Sequence, residues 1–217
     1  MSINQAPVRL VLDQVKAERR TSLTLAEAKI LCDAYGIPVP KQGSAASASE
    51  AIRLASEIGY PVVMKIISPD ILHKTEAGGV IAGIKSAAEA ASAYETIIAN
   101  AKKYKADAVI GGVQIQGMLT SGAEVIVGAL TDPSFGKVVA FGLGGILVEV
   151  LKDVTFRLAP ASKADALSMI DGIAAPEILR GVRGAPPADR EALAAIIVAV
   201  SNLVTDFPEI QEIDLNP

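Results

Sequence analysis

The sequence predicts an α/β protein of 217 residues that folds as two α+β lobes. Hydrophobic residues make up 51% of the chain, yet there are only four Phe, four Tyr and no Trp, so we expect an aliphatic core. Runs rich in Val and Ile are typical of strands covered on both faces, which favours parallel or mixed sheets. Helix-capping signals alternate with these runs, and their order along the chain separates the two lobes.

Three helices are indicated by a Ser or Thr followed three positions later by Glu. In such a capping box the hydroxyl accepts a hydrogen bond from a free backbone N–H, and the glutamate reaches back to the cap. Glycine, which tolerates the backbone conformation beyond a helix end, follows two of the three. The pairs are Thr24 with Glu27, Ser47 with Glu50 and Ser86 with Glu89, and the glycines are Gly36 and Gly59.

Strands are predicted where apolar, β-branched residues cluster between and after these helices. They lie at 61–66, 78–84, 108–116, 123–130 and 137–143, with a last strand in the C-terminal segment EIQEIDLNP. Further helices are predicted near 163–171, 176–182 and 187–205. We therefore expect an N-terminal helical extension at 1–21, packed on the outside, a first lobe at 22–105 and a second lobe at 106–217.

Charge and cysteine content exclude several classes of function. The formal charge of −4 gives no electrostatic reason to expect binding to nucleic acid or to an anionic membrane. Cys32 is the only cysteine, lies in an apolar helical pattern and is expected to pack in the core of a protein from a reducing compartment. No signal sequence and no apolar run of roughly 18 residues is present, so we expect a cytoplasmic protein.

Two features of the first lobe point to chemistry. Lys65 lies in the apolar strand PVVMKI, where it either reaches water at the strand end or points into a cleft to meet an anion such as phosphate. The loop SPDILHKTEAGGV, residues 68–80, contains the only histidine, His73. A lone histidine is often without function, but imidazole in a charged interstrand loop that ends in glycines can carry a group covalently.

The second lobe contains two weaker signals. In EIDLNP, Glu212, Asp214 and Asn216 alternate, so a strand would place their oxygens on one face, where they suit Mg²⁺; the alternative is a solvated edge strand. The segment FGLGGILVEV, 141–150, lacks the third glycine of a dinucleotide-binding fingerprint, which argues against that function. Its glycines still suit a backbone that wraps a phosphate.

The order of these segments resembles a known family. EAKILCDAYGIPVP, GYPVVMKIISPDILHKTEAGGV, AEVIVGALTDPSFGKVVAFGLGGILVEVLKDVTFRLAP and EIDLNP together resemble the ATP-grasp (beta) subunit of ADP-forming acetyl-CoA synthetases, which are related to the succinyl-CoA ligase beta chain. The resemblance covers about residues 22–217. It implies an ATP-grasp fold with a nucleotide cleft between two lobes, ATP or ADP and Mg²⁺ as cofactors, and a CoA-binding alpha subunit as partner.

The resemblance also implies roles for particular residues. Lys65 would hold the nucleotide phosphates, and His73, as the candidate catalytic residue, would relay a phosphoryl group between the nucleotide and a histidine of the partner subunit. The remaining residues form smaller groups: Lys74, Gly78 and Gly79 in the histidine loop, Gln116 and Met118 in a hinge segment that would read adenine, Glu124 near the ribose or phosphates, and Asp214 and Asn216 as metal ligands.

The implied reaction is reversible: acid, CoA and ATP give acyl-CoA, ADP and phosphate, through histidine phosphates. Relatives continue beyond the EIDLNP strand to another metal-binding aspartate, so we expect this metal site to be incomplete. The alternative function is a regulatory nucleotide-sensing module, such as the ATP-grasp-like regions of protein acyltransferases. Such modules often lack the relay histidine, and the presence of His73 favours catalysis.

Overall fold

The computed structural model describes residues 4–71, 73–119, 122–145, 153–181 and 186–215. The helices are α1 (Ala6–Ala17), α2 (Leu25–Ala34), α3 (Ala48–Ile58), α4 (Ala87–Tyr104), α5 (Lys163–Asp171), α6 (Glu177–Arg180) and α7 (Arg190–Asp206). The strands are β1 (Gln42–Ala45), β2 (Val62–Ile67), β3 (Val80–Ile84), β4 (Gly112–Gly117), β5 (Val125–Asp132), β6 (Gly136–Leu143), β7 (Val154–Leu158) and β8 (Glu212–Leu215). The chain divides into two compact units.

The unit formed by Pro40–Thr120 contains a four-stranded sheet in the order β1-β4-β2-β3. All of its pairings are antiparallel. Along β2 buried and partly buried residues alternate, so one face of the sheet packs into an apolar core that includes residues of α3 and α4. The other face of β2 presents Lys65.

The unit formed by Met1–Val39 and Ser121–Pro217 contains a second antiparallel sheet, in the order β7-β6-β5-β8. Its core joins alternate residues of β5 and β6 to α7, the long helix before β8. On the opposite face of the central strands the small residues Gly128, Ala140 and Gly142 lie beside Ile126 and Leu130, and a shallow depression of about 150 Å³ is found there.

The predicted helix starts are confirmed. Thr24 accepts a hydrogen bond from the Glu27 amide and the Glu27 carboxylate accepts one from the Thr24 amide, which completes the capping box. The hydroxyls of Ser47 and Ser86 accept from the amides of the glutamates three residues later in the same manner. The Arg20 guanidinium contacts the Glu27 carboxylate and is the largest cause that lowers the pKa of Glu27 to about 2.

Two strands were not predicted from the sequence, and the expected sheet type was wrong. β1 has the small, polar sequence QGSA, and β7 has the sequence VTFRL. Every strand pair in the described residues is antiparallel, although the composition favoured parallel or mixed sheets. The aliphatic residues instead form two cores, in each of which helices pack on one face of an antiparallel sheet.

The division of the chain also differs from the expected one. The first helix, α1, is part of a core and not an outer extension, because Val8, Val11 and Val15 are buried with residues of α2 and α7. The expected boundary between residues 105 and 106 lies before β4, which pairs with β1 and β2 in the sheet of the Pro40–Thr120 unit. The division into units therefore depends on strands that pair across long stretches of sequence, as β4 does with β1 and β2.

Cys32 is buried in the same core as α1, as expected, and burial raises the pKa of its thiol. None of the helices in the described part of the chain combines the length and apolar character that crossing a bilayer requires.

Candidate functional site

Lys65 lies in the middle of β2 and not at its end. Its strand neighbours Met64 and Ile66 are fully buried on the core side, so the lysine points from the opposite face of the sheet. It is half-buried, and its Nζ donates a hydrogen bond to Oε1 of Gln116 on β4, at 3.3 Å. The lysine is therefore held on a polar sheet face, as the anion-binding interpretation requires.

Two further glutamines belong to this face and were missed from the sequence. Gln114 is the direct cross-strand partner of Lys65 and is only 8% exposed. Its Nε2 donates to Oε1 of Gln42 on β1, at 2.8 Å. The spacing of Gln114 and Gln116 predicts that they share a face, but Gln42 lies on a strand that the sequence does not indicate.

His73 lies on a short helical turn that connects β2 to β3. The Ala77 amide donates to the His73 carbonyl at 3.1 Å, and the Gly79 amide donates to the Lys74 carbonyl at 2.8 Å. The base of the turn joins the sheet, because the Ile66 amide donates to the Gly79 carbonyl at 2.7 Å. The His73 imidazole itself is exposed, at 72% of its side-chain surface.

The residues before the turn hold its base in place. Ile71 is buried in the core of this unit. The Asp70 carboxylate accepts a hydrogen bond from the Val109 amide at 2.7 Å and one from the Lys105 ammonium at 3.3 Å. The Val109 amide first and the Lys105 ammonium second lower the pKa of the Asp70 carboxyl. The histidine therefore projects from a fixed support into solvent.

Both glycines after the histidine are required by the local geometry. Gly78 has φ +61°, and a Cβ there would lie 2.8 Å from Nδ2 of Asn100, which donates to the Gly78 carbonyl at 3.0 Å. At Gly79 a Cβ would lie 2.6 Å from Cγ2 of Ile66. The turn thus packs directly on the lysine-bearing strand and on α4.

Glu124 precedes β5 in the other unit. Its carbonyl accepts a hydrogen bond from the Gly144 amide at 2.7 Å. Its carboxylate lies over Gly145, where a Cβ would come within 2.2 Å of Oε2 of Glu124. Gly145 has φ +62°, so this close approach of a carboxylate to the backbone depends on glycine. Residues 146–152, the rest of the glycine-containing segment, lie outside the described residues.

Asp214 is on β8, on the open face of its sheet. Strand alternation places Glu212 on the same face, and both line the shallow depression there. Asp214 pairs with Gly128 of β5, which has no side chain to fill the space beside the carboxylate. Asn216, the other predicted metal ligand, lies outside the described residues.

The donors on β8 fit a hard cation. Mg²⁺ is usually bound through one or two carboxylates together with phosphate oxygens, rather than in a cage made only of protein ligands. Glu212 and Asp214 provide carboxylates on one open face. Within the described ranges no group of three or more His, Cys, Asp or Glu side chains could hold a metal ion, so a cation here would also need oxygens from its other ligands.

Comparisons with known proteins agree with this arrangement. A family model described as the ATP-grasp domain matches residues 14–217. The chain belongs to the ATP-grasp domain family. Within it, the chain is 54% identical over 212 residues to the beta subunit of acetate–CoA ligase [ADP-forming] I of Pyrococcus furiosus. The aligned region covers 98% of this chain and 91% of that protein. It therefore belongs with the beta subunits of ADP-forming acetate–CoA ligases.

Two solved structures of an acetyl-coenzyme A synthetase from Ca. Korarchaeum cryptofilum share the fold of this ATP-grasp chain. One, in complex with coenzyme A, Ca-AMPCP and HgCl+, has a TM-score of 0.89 at 43% identity and covers 96% of this chain and 91% of that one. The other, with coenzyme A and Mg-AMPPCP, has a TM-score of 0.84 at 40% identity and covers 97% and 91%. In the second, a phosphohistidine segment points towards the nucleotide binding site.

The predicted hinge residues of this ATP-grasp chain, Gln116 and Met118, both make hydrogen bonds within their own unit. Gln116 accepts from Lys65, and the Met118 amide donates to the Pro61 carbonyl at 2.9 Å, whereas the Met118 side chain is 41% exposed. The structure therefore brings Lys65, Gln116 and the His73 turn together within one unit. Glu124 and Asp214 lie in the other unit.

Proposed function

We propose that this chain binds Mg-ATP or Mg-ADP and that His73 relays a phosphoryl group between the nucleotide and a CoA-binding alpha subunit. The reaction served is acid + CoA + ATP = acyl-CoA + ADP + phosphate, in either direction. The carrying observation is the exposed His73 imidazole on a turn whose base is fixed by the Asp70 carboxylate and by packing on β2. A relay requires an exposed ring, because the imidazole must reach the nucleotide in one step and the partner subunit in the other.

Lys65 supports the nucleotide end of this proposal. Phosphoryl transfer depends mainly on positioning and on charge compensation, so a fixed ammonium near the phosphates is a main contribution of the protein. The Gln116 carboxamide is the acceptor that orients the Lys65 ammonium. Gln114, held by Gln42, extends the polar surface beside it. These uncharged partners orient the lysine without neutralising it.

The metal end of the proposal rests on Asp214, with Glu212 beside it and Asn216 as the further predicted ligand. These residues would hold Mg²⁺, which would offset the negative charge of the nucleotide phosphates. The Asp214 carboxylate lies on an open face next to Gly128, so phosphate oxygens could approach it. Glu124, over Gly145, is proposed to contact the ribose or the phosphates.

The proposed partner follows from the relatives. The Pyrococcus protein is a beta subunit, and the Korarchaeum synthetase was solved with coenzyme A as well as with a nucleotide analogue. We therefore propose a hetero-oligomer with a CoA-binding alpha subunit, which would select the carboxylic acid. The proposal places this chain in the cytoplasm, where ATP and CoA are available.

Isothermal titration calorimetry of the chain with ATP and ADP, with and without Mg²⁺, tests the nucleotide site. Lys65→Ala removes a charge-assisted contact with phosphate, so we expect affinity to fall roughly 10- to 100-fold. Lys103→Ala is the matched control, because Lys103 is an exposed lysine in the last turn of α4 in the same unit. Its affinity should equal that of the parent chain.

Equal affinity in Lys65→Ala and the parent would contradict the assignment of Lys65 to the phosphates. Nucleotide binding without phosphorylation of His73 would instead favour the regulatory alternative, a nucleotide-sensing module. Calorimetry reports whether the nucleotide site is present, and an assay for phosphorylation of His73 reports whether the bound nucleotide reacts.

A further inference from the structure

The carboxylate of Glu76 lies beside the His73 imidazole. The turn formed by the hydrogen bond from the Ala77 amide to the His73 carbonyl is one helical turn, so residues three apart share a side of it. Oε1 of Glu76 is 4.0 Å from Nδ1 of His73. The nitrogen that faces the carboxylate is thus Nδ1, and Nε2 is the nitrogen on the far side of the ring.

The backbone that carries the two side chains is fixed at several points. Ala77, next to Glu76, is buried in the core. The Gly78 carbonyl accepts from Asn100 of α4, and the Gly79 amide closes back on the Lys74 carbonyl. The side chains of His73 and Glu76 are both 72% exposed, so their proximity comes from this backbone and not from crowding by neighbours.

We propose that Glu76 is a positioning residue for His73. Its carboxylate lies 4.0 Å from Nδ1, beyond hydrogen-bond distance in the structure, and rotation of the exposed Glu76 side chain would bring it within reach of Nδ1–H. That contact would hold the Nδ1–H tautomer and so direct phosphoryl transfer to Nε2. This inference rests on the proposed relay function. A carboxylate that accepts from one ring nitrogen fixes the tautomer and the orientation of an imidazole, as it does in catalytic triads and around metal-bound histidines.

The chemical step balances with Glu76 in this role. The Nε2 lone pair attacks the γ-phosphorus of ATP, the N–P bond forms, and the bond from that phosphorus to the bridging oxygen breaks, so ADP leaves with the electron pair. The proton stays on Nδ1, and the ring carries a positive charge that the Glu76 carboxylate offsets. In the reverse step an ADP oxygen attacks the phosphorus, the N–P bond breaks and the neutral imidazole returns.

The sequence makes a direct test possible, because His73 is the only histidine in the chain. In protein labelled with ¹⁵N-histidine, long-range ¹H–¹⁵N correlation spectra contain one imidazole ring, and its two nitrogen shifts report the tautomer. We expect the neutral ring of the parent chain to be mainly Nδ1–H and the ring of Glu76→Ala to shift towards Nε2–H. A parent ring that is mainly Nε2–H, or one that Glu76→Ala leaves unchanged, overturns the proposal.

A rate measurement adds a readout of function. With Mg-[γ-³²P]ATP as the probe, acid-labile and alkali-stable label on the chain reports phosphohistidine at His73. We expect Glu76→Ala to slow labelling about fivefold, the upper end for an exposed ion pair, with unchanged ATP affinity. Glu76→Asp should restore most of the rate, and Glu95→Ala, which removes an exposed glutamate on α4, should match the parent.

The same experiment separates failure of this inference from failure of the proposed function. If the parent chain takes no label, the relay role of His73 is contradicted, and the role of Glu76 falls with it. If the parent is labelled and Glu76→Ala is labelled equally fast, only the positioning role is contradicted.

Discussion

The fit of Gly78 against α4 gives a prediction about stability whose size can be worked out. Gly78→Ala places a Cβ at φ +61°, and the left-handed conformation costs a non-glycine residue roughly 1–2 kcal/mol. The new Cβ would lie 2.8 Å from Nδ2 of Asn100, so this side chain must move. It then loses its hydrogen bond to the Gly78 carbonyl, which contributes about 1 kcal/mol.

The two contributions predict that Gly78→Ala lowers the free energy of unfolding by about 2–3 kcal/mol. Gly83→Ala is the control for the backbone part, because Gly83 has φ +75° with no heavy atom within 4 Å of a Cβ. It should cost only about 1–2 kcal/mol. Asn100→Ala removes the hydrogen bond alone and should cost about 1 kcal/mol.

Urea unfolding of the four proteins and of the Gly78→Ala/Asn100→Ala double variant tests this reasoning. Because the two changes share one contact, their costs should not add, and the double variant should be about 1 kcal/mol more stable than the sum predicts. If Gly78→Ala is no more destabilising than Gly83→Ala, the packing of the turn against α4 does not contribute as described.

Three further predictions concern other parts of the chain. Tyr35→Phe removes a 2.6 Å hydrogen bond from the Tyr35 hydroxyl to Asp206 and should lower the free energy of unfolding by about 1.5 kcal/mol in urea titrations; an unchanged midpoint would contradict it. The folded-state pKa of Glu27, about 2, lies below its ordinary value of 4.5, so its stabilising effect is complete above pH 4.5 and is lost as pH falls through about 2. Thermal unfolding of Glu27→Gln should therefore depend less on pH between 4.5 and 2 than the parent, and parallel curves would argue against the role of Arg20. Asp214→Asn should raise the Mg²⁺ concentration needed for ATP binding about tenfold or more, and an equal Mg²⁺ requirement would remove Asp214 from the metal site.

The helices were predictable from the sequence because their signals are local. A capping box such as that of Thr24 and Glu27 lies within four residues, so its hydrogen bonds do not depend on residues far away in the sequence. The strand β1 was not predictable, because QGSA has low strand propensity and is held by pairing with β4, about seventy residues later. The place of α1 in a core likewise depends on residues far away in sequence, because that core also contains residues of α7 near the other end of the chain.

The residues of the candidate site likewise fall into those that local sequence indicates and those that depend on distant partners. His73 and Lys65 could be found because a single histidine in a charged loop, and a lysine in an apolar strand, are unusual in themselves. Asp70, Asn100 and Gln42 could not, since each acts through a partner 22 to 72 positions away. What holds the histidine turn in place is therefore a property of the fold, whereas the candidate reactive residue is evident in the sequence.

The most direct measurement of the central claim is phosphorylation of the chain by Mg-[γ-³²P]ATP, followed by addition of ADP. Because the chain has one histidine, acid-labile and alkali-stable label can be assigned to His73 without peptide mapping. We predict that the parent chain takes up this label, that ADP removes it as ATP, and that His73→Ala takes up none while it binds ATP with unchanged affinity. Equal label in His73→Ala, or a parent chain that binds Mg-ATP and is never labelled, would contradict the account.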